Sequence, residues 1–524
     1  MVFSGAKLDD VPDTVPICDF MFDEKHGRYP IAKSLDTYTD GLDGRTISAR
    51  DQKTRVDHLA RALLKEFGWK VNGGTEYDKV VGVFALNTVC CAVSSMMVLL
   101  MILQIDTMTL SWAIHRLNGI SSPANAAYTA DELAYQLTNS GAQALFTTAA
   151  LLDTALTAAA KAKIPKHKVY LFEVPGPKPP PEFKTLGQLL KEGQALPELE
   201  GIKWSKGQGA RQTAFLCYSS GTSGLPKGVM ISHRNVIANT LQIAKHDQST
   251  RDKYGKDYLD VALGLLPQSH IYGLIVVCHA STYRGDRVIV LPKFEMSAYL
   301  DAIVKYKINT LYIVPPVIIN MVNNNALLSK YDLTSVTSIF TGAAPLGEET
   351  AKELGRQYPS WGIRQGYGMT ETATVVCSTL PHDVVFGSSG PLVPGQEVKI
   401  MSAEGKEIKA YGETGELCVK GPNVVLGYLK NDKANAETFV DGPDGRWLRT
   451  GDEAMIKKSS KTGVEHVWIT DRIKELIKVK VCFRAELDRI VADLFVGSAS
   501  CPSRARIVSS RPSGCGRCGC HWRA

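Results

Sequence analysis

Residues 218–228, Tyr-Ser-Ser-Gly-Thr-Ser-Gly-Leu-Pro-Lys-Gly, are the stretch from which the rest of the chain is interpreted. They follow an apolar segment typical of a strand, residues 213–217, and precede a segment typical of a helix, residues 235–243. Three glycines and four Ser/Thr hydroxyls in eleven residues predict a donor-rich turn that lets backbone N–H groups approach an anion. With the positive charge of Lys227, this pattern indicates a triphosphate loop. It is not a Walker A sequence, because no Gly-Lys-Ser/Thr occurs at the required spacing.

The loop resembles the phosphate loop of the adenylate-forming superfamily, which includes acyl-CoA synthetases, luciferases and the adenylation domains of peptide synthetases. The resemblance covers about residues 10–480 and is carried by further motifs in the same order. It implies that the loop holds the phosphates of ATP and that Lys227 acts in catalysis. The residues that it assigns to the phosphates are Ser219, Ser220, Gly221, Thr222, Ser223, Gly224 and Lys227.

The heptad 365–371, Gln-Gly-Tyr-Gly-Met-Thr-Glu, follows the loop by about 140 residues and resembles the adenine and magnesium motif of the superfamily. An aromatic face can stack on a purine, a hydroxyl can hold a phosphate oxygen, and a carboxylate can ligate Mg²⁺. The resemblance assigns catalytic roles to Thr370 and Glu371 and makes Glu371 the metal ligand. The other nucleotide-binding residues of the heptad are Gln365, Gly366, Tyr367, Gly368 and Met369.

Three further segments resemble parts of the nucleotide site. Their assigned residues are Gly342, Ala343, Ala344, Asp452, Arg472 and Lys474. The first three are similar to the wall under the adenine, where small residues leave room for the base. Asp452 resembles the residue that accepts hydrogen bonds from the ribose hydroxyls, and Arg472 resembles a residue that also reaches the ribose. The lysine resembles the pivot of a hinge, which we place at residues 471–480.

The segment 267–273, Pro-Gln-Ser-His-Ile-Tyr-Gly, resembles the part of the superfamily that borders the acyl pocket. We expect the pocket to be formed by His270, Tyr272, Gly273, Val314, Pro316 and Thr341. Two interpretations of His270 stay open: a catalytic role beside the substrate carboxylate, or a satisfied histidine in the core.

Short runs rich in β-branched residues, at 288–294, 310–315 and 335–341, alternate with segments typical of helices. This alternation predicts an α/β fold with a mainly parallel sheet covered by helices. Residues 48–67 predict an amphipathic helix that ends at Gly68. The resemblance implies a large N-terminal AMP-binding domain, residues 1–470, made of helix-covered sheets and a small β-rich subdomain, and then a truncated C-terminal domain.

The composition is that of an ordinary globular protein, with 44% hydrophobic and 22% charged residues. Seven arginines and three acidic residues in 481–524 supply +4 of the net charge of +7, so the composition does not indicate nucleic-acid binding. Seven of the twelve cysteines lie in two short stretches. The other five are scattered, and together with the lack of an apolar leader in the first 40 residues they favour a reduced intracellular enzyme. We expect a cytoplasmic location for the chain as written, and a peroxisomal one for a full-length spliced form.

Residues 80–105 contain no charged side chain, and 89–104 resemble part of a membrane span. Polar patterning resumes at Asp106, which predicts an N-cap for the following helix. We interpret 89–104 as a translated intron, because Val89 and Cys90 allow the donor GTATGY, Gln104 allows the acceptor CAG, and sixteen codons keep the frame. A transmembrane or buried helix is the alternative.

The resemblance stops near residue 480, and residues 481–524 form a Cys/Arg-rich tail in place of the C-terminal domain. A second GTATGY donor is allowed at Val481-Cys482, and retaining sixteen codons plus one nucleotide would shift the reading frame. Read one nucleotide later, the codons from Gly497 allow Gly-Leu-Gln-Val-Ala-Pro-Ala-Glu-Leu-Glu, which fits the continuation of the superfamily. We therefore expect the chain as written to bind ATP but to be nearly inactive.

The implied reaction ligates a carboxylic acid to coenzyme A with ATP and Mg²⁺, through an acyl-adenylate. Around 218–239, 265–272 and 471–480 the chain is most similar to fungal 4-coumarate-like and phenylacetyl-CoA ligases, so we expect an aryl or medium-chain acid, in secondary metabolism. We expect neither a nucleic-acid nor a membrane partner. The alternatives are a non-catalytic nucleotide-binding remnant, an adenylation enzyme that loads a carrier-protein thiol, and a membrane-anchored protein.

Overall fold

The computed structural model describes residues 2–85, 106–173, 179–219, 225–291 and 294–473. The interpreted intron at 89–104, the loop residues Ser220, Gly221, Thr222, Ser223 and Gly224, Lys474 and the tail 481–524 lie outside the described residues. Within the described ranges, no helix has both the length and the apolar character needed to cross a membrane.

The secondary structure alternates between strands and helices over most of the chain. The strands are β1 (Phe3–Ser4), β2 (Tyr38–Asp40), β3 (Thr46–Ile47), β4 (Val80–Phe84), β5 (Ile120–Ala124), β6 (Ala144–Thr147), β7 (Val169–Leu171), β8 (Thr213–Ser219), β9 (Lys227–Ser232), β10 (Val261–Gly264), β11 (Arg287–Val290), β12 (Thr310–Ile313), β13 (Ser338–Thr341), β14 (Gly362–Met369), β15 (Thr374–Ser378), β16 (Glu397–Met401), β17 (Glu407–Ile408), β18 (Gly415–Lys420), β19 (Gly427–Tyr428), β20 (Phe439–Gly442), β21 (Gly445–Lys458) and β22 (Glu465–Arg472). The α-helices are α1 (Ile17–Phe20), α2 (Ala49–Phe67), α3 (Thr107–His115), α4 (Ala130–Ser140), α5 (Leu152–Lys161), α6 (Leu186–Gln194), α7 (Gln208–Arg211), α8 (His233–Arg251), α9 (Ser281–Arg284), α10 (Met296–Tyr306), α11 (Pro315–Asn323), α12 (Asn325–Leu328), α13 (Glu348–Gln357) and α14 (Asp432–Thr438). A buried π-helix, Tyr272–Ala280, precedes α9.

The strands form three sheets, which confirms the predicted α/β class. One has the order β19-β9-β8-β5-β4-β6-β7, and a second has the order β15-β14-β13-β12-β10-β11-β2-β3. In the second sheet the strands from β2 through β14 pair in parallel. The third, β1-β16-β18-β21-β20 with β17 and β22 attached, is antiparallel and corresponds to the expected β-rich part.

The predicted amphipathic helix at 48–67 is confirmed as α2. The Ser48 side chain caps it by accepting from the Asp51 amide, and it ends at Gly68, whose φ of 65° suits a glycine. Val56, Leu59 and Leu63 are buried at the three- and four-residue spacing that a helix requires.

The predicted helix at 235–243 is confirmed as part of α8, which begins at His233. Strand β9 precedes it and pairs antiparallel with β8, Ser219 opposite Lys227. One local prediction needs correction. Asp106 does precede α3, but its side chain makes no cap hydrogen bond. Its carboxylate instead pairs with Arg55 and accepts a 3.4 Å hydrogen bond from Thr109.

Helices cover both faces of the second sheet. On one face α8 and the π-helix pack against residues such as Tyr312 and Phe340, and on the other α10, α11 and α13 pack against residues such as Leu311 and Ile339. Because β12, β13 and β14 are parallel, the segments that follow β12 and β13 meet at one edge of the sheet. That edge is where an open α/β sheet usually binds its ligand.

Candidate active site

Lys227, Glu371 and Tyr428 meet at the end of the β8–β9 hairpin. The Tyr428 hydroxyl donates a 2.8 Å hydrogen bond to Glu371 Oε1, and the Ser219 hydroxyl donates to the same oxygen at 3.4 Å. Lys227 Nζ lies 4.8 Å from the centre of the Tyr428 ring, a cation–π distance. The structure therefore brings the predicted catalytic lysine and the predicted metal ligand together around a shared tyrosine.

The Glu371 carboxyl is buried, and this burial raises its pKa. The hydrogen bonds from Tyr428 and Ser219 and the charge of Lys227 oppose that rise. Both side-chain hydrogen bonds end on Oε1, so the other oxygen receives neither of them. Mg²⁺ is commonly bound through one or two carboxylates together with substrate phosphates, and this donor set fits it.

Sequence reasoning missed Tyr428. It lies on β19, where it pairs with Val229 of the β8–β9 hairpin. Nothing in the local pattern of residues 423–429 indicates a site residue, because its role comes from pairing with a strand almost two hundred residues earlier. In the structure, the neighbouring Gly427 has an unusual backbone conformation, with φ of 143° beside Asn435.

A second cluster joins Tyr367, Asp452 and Arg472. The Tyr367 hydroxyl donates to Asp452 Oδ2 at 2.6 Å, and Arg472 Nε donates to Oδ1 at 3.1 Å. Burial is the largest cause that raises the pKa of Tyr367, and the charge of Asp452 raises this pKa further. The Tyr367 hydroxyl therefore stays protonated and can donate its hydrogen bond. The predicted adenine and ribose residues are thus adjacent, although they come from β14, β21 and β22.

The predicted adenine wall lies beside the heptad because β13 and β14 pair in parallel, Thr341 opposite Gln365. The Leu346 amide donates to Gln365 Oε1 at 3.1 Å, which ties the two segments together. A Cβ on Gly342 would lie 3.4 Å from the Gly366 carbonyl oxygen. Ala343 adopts a φ of 68°, a conformation that costs a non-glycine residue about 1 kcal/mol or more.

His270 is exposed, so it is not a satisfied core histidine. Its Nδ1 accepts from the Tyr272 amide at 3.2 Å, and the protein atoms on its inner side lower the pKa of the imidazole by desolvation. The Tyr272 hydroxyl donates to the Phe340 carbonyl at 2.7 Å. Gly273 has a backbone role: a Cβ there would lie 2.2 Å from the Pro267 carbonyl oxygen.

The remaining predicted residues occupy the same edge of the sheet. Thr341 is fully buried at the end of β13, and its hydroxyl has no hydrogen-bond partner among the described residues. Val314 and Pro316 lie at the start of α11, after β12. Gly368, Met369 and Thr370 lead from β14 into a short 3₁₀ turn that carries Glu371. A Cβ on Gly368 would lie only 1.5 Å from the Thr374 carbonyl oxygen, so the close backbone packing there requires a glycine.

Comparisons with known proteins agree with this arrangement. The family profile "AMP-binding enzyme" matches residues 22–429. The chain is 39% identical over 492 residues to the acyl-CoA ligase cm3C of Cordyceps militaris, covering 92% of this chain and 75% of that protein. It is 34% identical over 476 residues to the acyl-CoA ligase easD of Emericella nidulans, covering 90% and 80%.

Solved structures show the same fold. A long-chain-fatty-acid-CoA ligase (FadD1) from Archaeoglobus fulgidus superposes with a TM-score of 0.72 at 22% identity, covering 93% of this chain and 88% of that one. A luciferase-like enzyme from the mealworm Zophobas morio gives a TM-score of 0.69 at 21% identity, covering 91% and 99%. These likenesses and the fungal relatives confirm the resemblance that the motifs indicated: the chain has the adenylate-forming fold and belongs to the AMP-binding enzyme family.

Proposed function

We propose that this chain is an ATP-dependent acid–CoA ligase that forms an acyl-adenylate and then a thioester. The observation that carries the proposal is the meeting of Lys227, Glu371 and Tyr428 at the loop that follows β8. A cation and an acidic ligand that meet at the end of the strand preceding the donor-rich sequence are what a triphosphate with its metal requires. The fungal relatives named acyl-CoA ligases support the same reaction class.

The first step is the attack of a carboxylate oxygen on the α-phosphorus of ATP, which forms the acyl–phosphate bond and breaks the bond to pyrophosphate. Lys227 would neutralise charge on the phosphates, while Glu371 would hold Mg²⁺, which supplies further neutralisation when bound. Asp452 and Arg472 would fix the ribose, and Tyr367 would stack on the adenine. In the second step the CoA thiol displaces AMP from the adenylate.

The proposed substrate is an aryl or medium-chain carboxylic acid. Support comes from the aromatic pair Tyr272 and Phe340, whose ring centres lie 5.8 Å apart at the predicted acyl segment. His270, neutral and open to solvent, would meet the substrate carboxylate. The buried hydroxyl of Thr341 offers a further hydrogen-bonding group at this edge.

The test is acid-dependent exchange of labelled pyrophosphate into ATP by the 524-residue chain, followed by chromatography for the CoA thioester. Glu371→Gln should reduce exchange at least a hundredfold, the scale of removing one electrostatic group from an active site. Glu349→Gln is the matched control, since it makes the same change at an exposed position of α13.

The outcomes separate the alternatives. Exchange with thioester formation supports the proposal. Exchange without thioester would indicate loading of a carrier-protein thiol instead. ATP binding without any exchange would contradict the proposal for this chain, and it would agree with the expectation from the sequence that the chain as written is a nearly inactive nucleotide-binding protein.

A further inference from the structure

The turn that carries Glu371 has a strained backbone. It connects β14 to β15, and its residues from Glu371 to Thr374 are buried. Ala373 has a φ of 45° and Thr374 a φ of 114°, which are values that residues with a side chain rarely adopt. Such a backbone persists only where the surrounding structure holds it in place. The position of the Glu371 carboxylate therefore depends on the contacts that hold this turn.

Asn423 holds the turn from the loop between β18 and β19. The asparagine is fully buried, and its Nδ2 donates to the Thr372 carbonyl at 2.7 Å and to the Val375 carbonyl at 3.4 Å. In the same loop, the Val425 amide donates to the Glu371 carbonyl at 3.1 Å. The loop is thus bonded to two successive carbonyls of the strained turn, those of Glu371 and Thr372.

Two asparagines of α8 hold the same parts of the chain. The Oδ1 of Asn239 accepts from the Val375 amide at 3.0 Å, and its Nδ2 donates to the Val375 carbonyl at 2.8 Å, as a neighbouring strand would. Asn235 lies one helical turn earlier on the same side of α8. Its Nδ2 donates to the carbonyls of Pro422 and Val424, both at 2.9 Å. Helix α8 is therefore bonded both to β15 and to the loop that contains Asn423.

The two ends of this framework carry the other members of the candidate phosphate site. The loop continues into β19, where the Tyr428 amide donates to Asn435 Oδ1 at 2.6 Å and Asn435 Nδ2 donates to the Tyr428 carbonyl at 2.9 Å. Helix α8 follows directly from β9, which begins at Lys227. A carboxamide both donates and accepts without carrying charge. These side chains therefore connect the segments of Lys227, Glu371 and Tyr428 and add no charge beside the phosphates.

We propose that Asn423 is a positioning residue for Glu371. By holding the strained turn, it keeps the carboxylate within hydrogen-bond distance of the Tyr428 hydroxyl and in position for the metal. Without Asn423 the Thr372 carbonyl loses its donor and the turn relaxes, so the metal-dependent part of nucleotide binding is lost. Asn239 shares this role through β15. The inference rests on the proposed function, in which Glu371 holds Mg²⁺.

The test measures binding without turnover on the 524-residue chain. Calorimetry gives the dissociation constant of α,β-methylene ATP, an analogue that cannot transfer AMP, in saturating Mg²⁺ and in EDTA. The ratio of the two constants measures the contribution of the metal. We expect Mg²⁺ to tighten binding to the wild type about tenfold or more, and Asn423→Ala to reduce this gain to about twofold, with the constant in EDTA nearly unchanged.

A double variant tests whether Asn423 acts through Glu371. Glu371→Gln should itself remove most of the gain from Mg²⁺. Adding Asn423→Ala to Glu371→Gln should then cause no further loss, because the group that the asparagine positions is already gone.

Gln52→Ala is the matched control. It removes an equally buried carboxamide, which lies on α2 and donates to the Thr109 hydroxyl at 3.0 Å. It should lower the melting temperature and leave the gain from Mg²⁺ at the wild-type value. If Asn423→Ala does not fold, Asn239→Ala decides in its place, with the same reduction expected.

The outcomes separate the inference from the proposed function. A wild-type gain from Mg²⁺ in the asparagine variant, or a further loss in the double variant, would overturn the inference while the proposed ligase function stands. If Mg²⁺ does not tighten binding to the wild type, the metal role of Glu371 fails in the proposed function, and the inference fails with it.

Discussion

The phenolic oxygen of Tyr428 lies 2.8 Å from Glu371 Oε1, across 57 residues of sequence. The same tyrosine ring lies 4.8 Å from Lys227 Nζ. One side chain therefore positions both the acidic and the basic group of the candidate phosphate site. It also explains how a carboxylate can be buried there, since the hydroxyl compensates part of the lost solvation.

Glu371→Gln should remove the acidic limb of the pH–activity profile. Burial raises the pKa of this carboxyl above its ordinary value of 4.5, and the ionised form is the one that holds the metal. Activity of the wild type should therefore fall as pH decreases through a value above 4.5. The check is exchange activity from pH 5 to 8, and a wild-type limb that persists in the variant would assign the titration to another group.

Tyr428→Phe keeps the ring and removes the hydrogen bond. Because that bond lowers the Glu371 pKa, its loss should shift the acidic limb to higher pH and reduce turnover at pH 7 about tenfold. The cation–π contact to Lys227 should remain. Measuring the pH–activity profiles of the wild type and of Tyr428→Phe in the same buffers gives the shift directly. A shift of the acidic limb toward lower pH would refute the role assigned to this hydrogen bond.

Asp452→Asn should weaken ATP binding about tenfold, because an amide cannot accept from both Tyr367 and Arg472 as the carboxylate does. The ribose does not change during the reaction, so the effect should be a higher KM for ATP with kcat nearly unchanged. Steady-state kinetics measure this split. Asp301→Asn, exposed on α10, is the control, and a fall in kcat alone would argue against a ribose role.

Gly273→Ala should destabilise the protein by about 1–3 kcal/mol, since the new Cβ would lie 2.2 Å from one carbonyl oxygen and 2.8 Å from another. Gly342→Ala is the contrasting variant, because its Cβ would meet nothing closer than 3.4 Å. We expect it to keep its stability and to impair ATP binding. Thermal melting and ATP titration of the two variants test the contrast, and equal melting temperatures would contradict it.

Asp383→Asn should lower stability at pH 7 by about 2–3 kcal/mol. Asp383 is buried, which would raise its pKa, but hydrogen bonds from Ser459, Thr462 and His466 outweigh this and lower it. The carboxylate therefore stabilises the fold above its ordinary pKa of 3.8, and this contribution is lost as pH falls through the lower folded-state value. Denaturant unfolding at pH 7 and pH 3 measures it, with Asp301→Asn as the reference.

Much of the site could be predicted because its motifs are contiguous. The loop at 218–228 and the heptad at 365–371 each contain their chemistry within a few residues, and parallel pairing of β13 with β14 places the wall beside the heptad. The resemblance to the adenylate-forming superfamily supplied the order of these motifs along the chain. Tyr428 could not be found in this way, since a two-residue strand carries almost no pattern.

Two local features depend on tertiary contacts. The sequence made no prediction for strand β9, because only the pairing of residues 227–232 with β8 makes them a strand. Asp106 satisfies the sequence rule for an N-cap, but the charge of Arg55 is a better partner than the helix amides. In both places tertiary contacts override the local preference.

The pairing of β19 with β9 also orders events during synthesis. Lys227 leaves the ribosome 201 residues before Tyr428, which at about 5–20 residues per second is about 10–40 s. During that interval the β8–β9 hairpin has an unpaired edge, and the lysine has no aromatic ring to face. A nascent chain should therefore gain its affinity for nucleotide late and in one step, when β19 closes that edge.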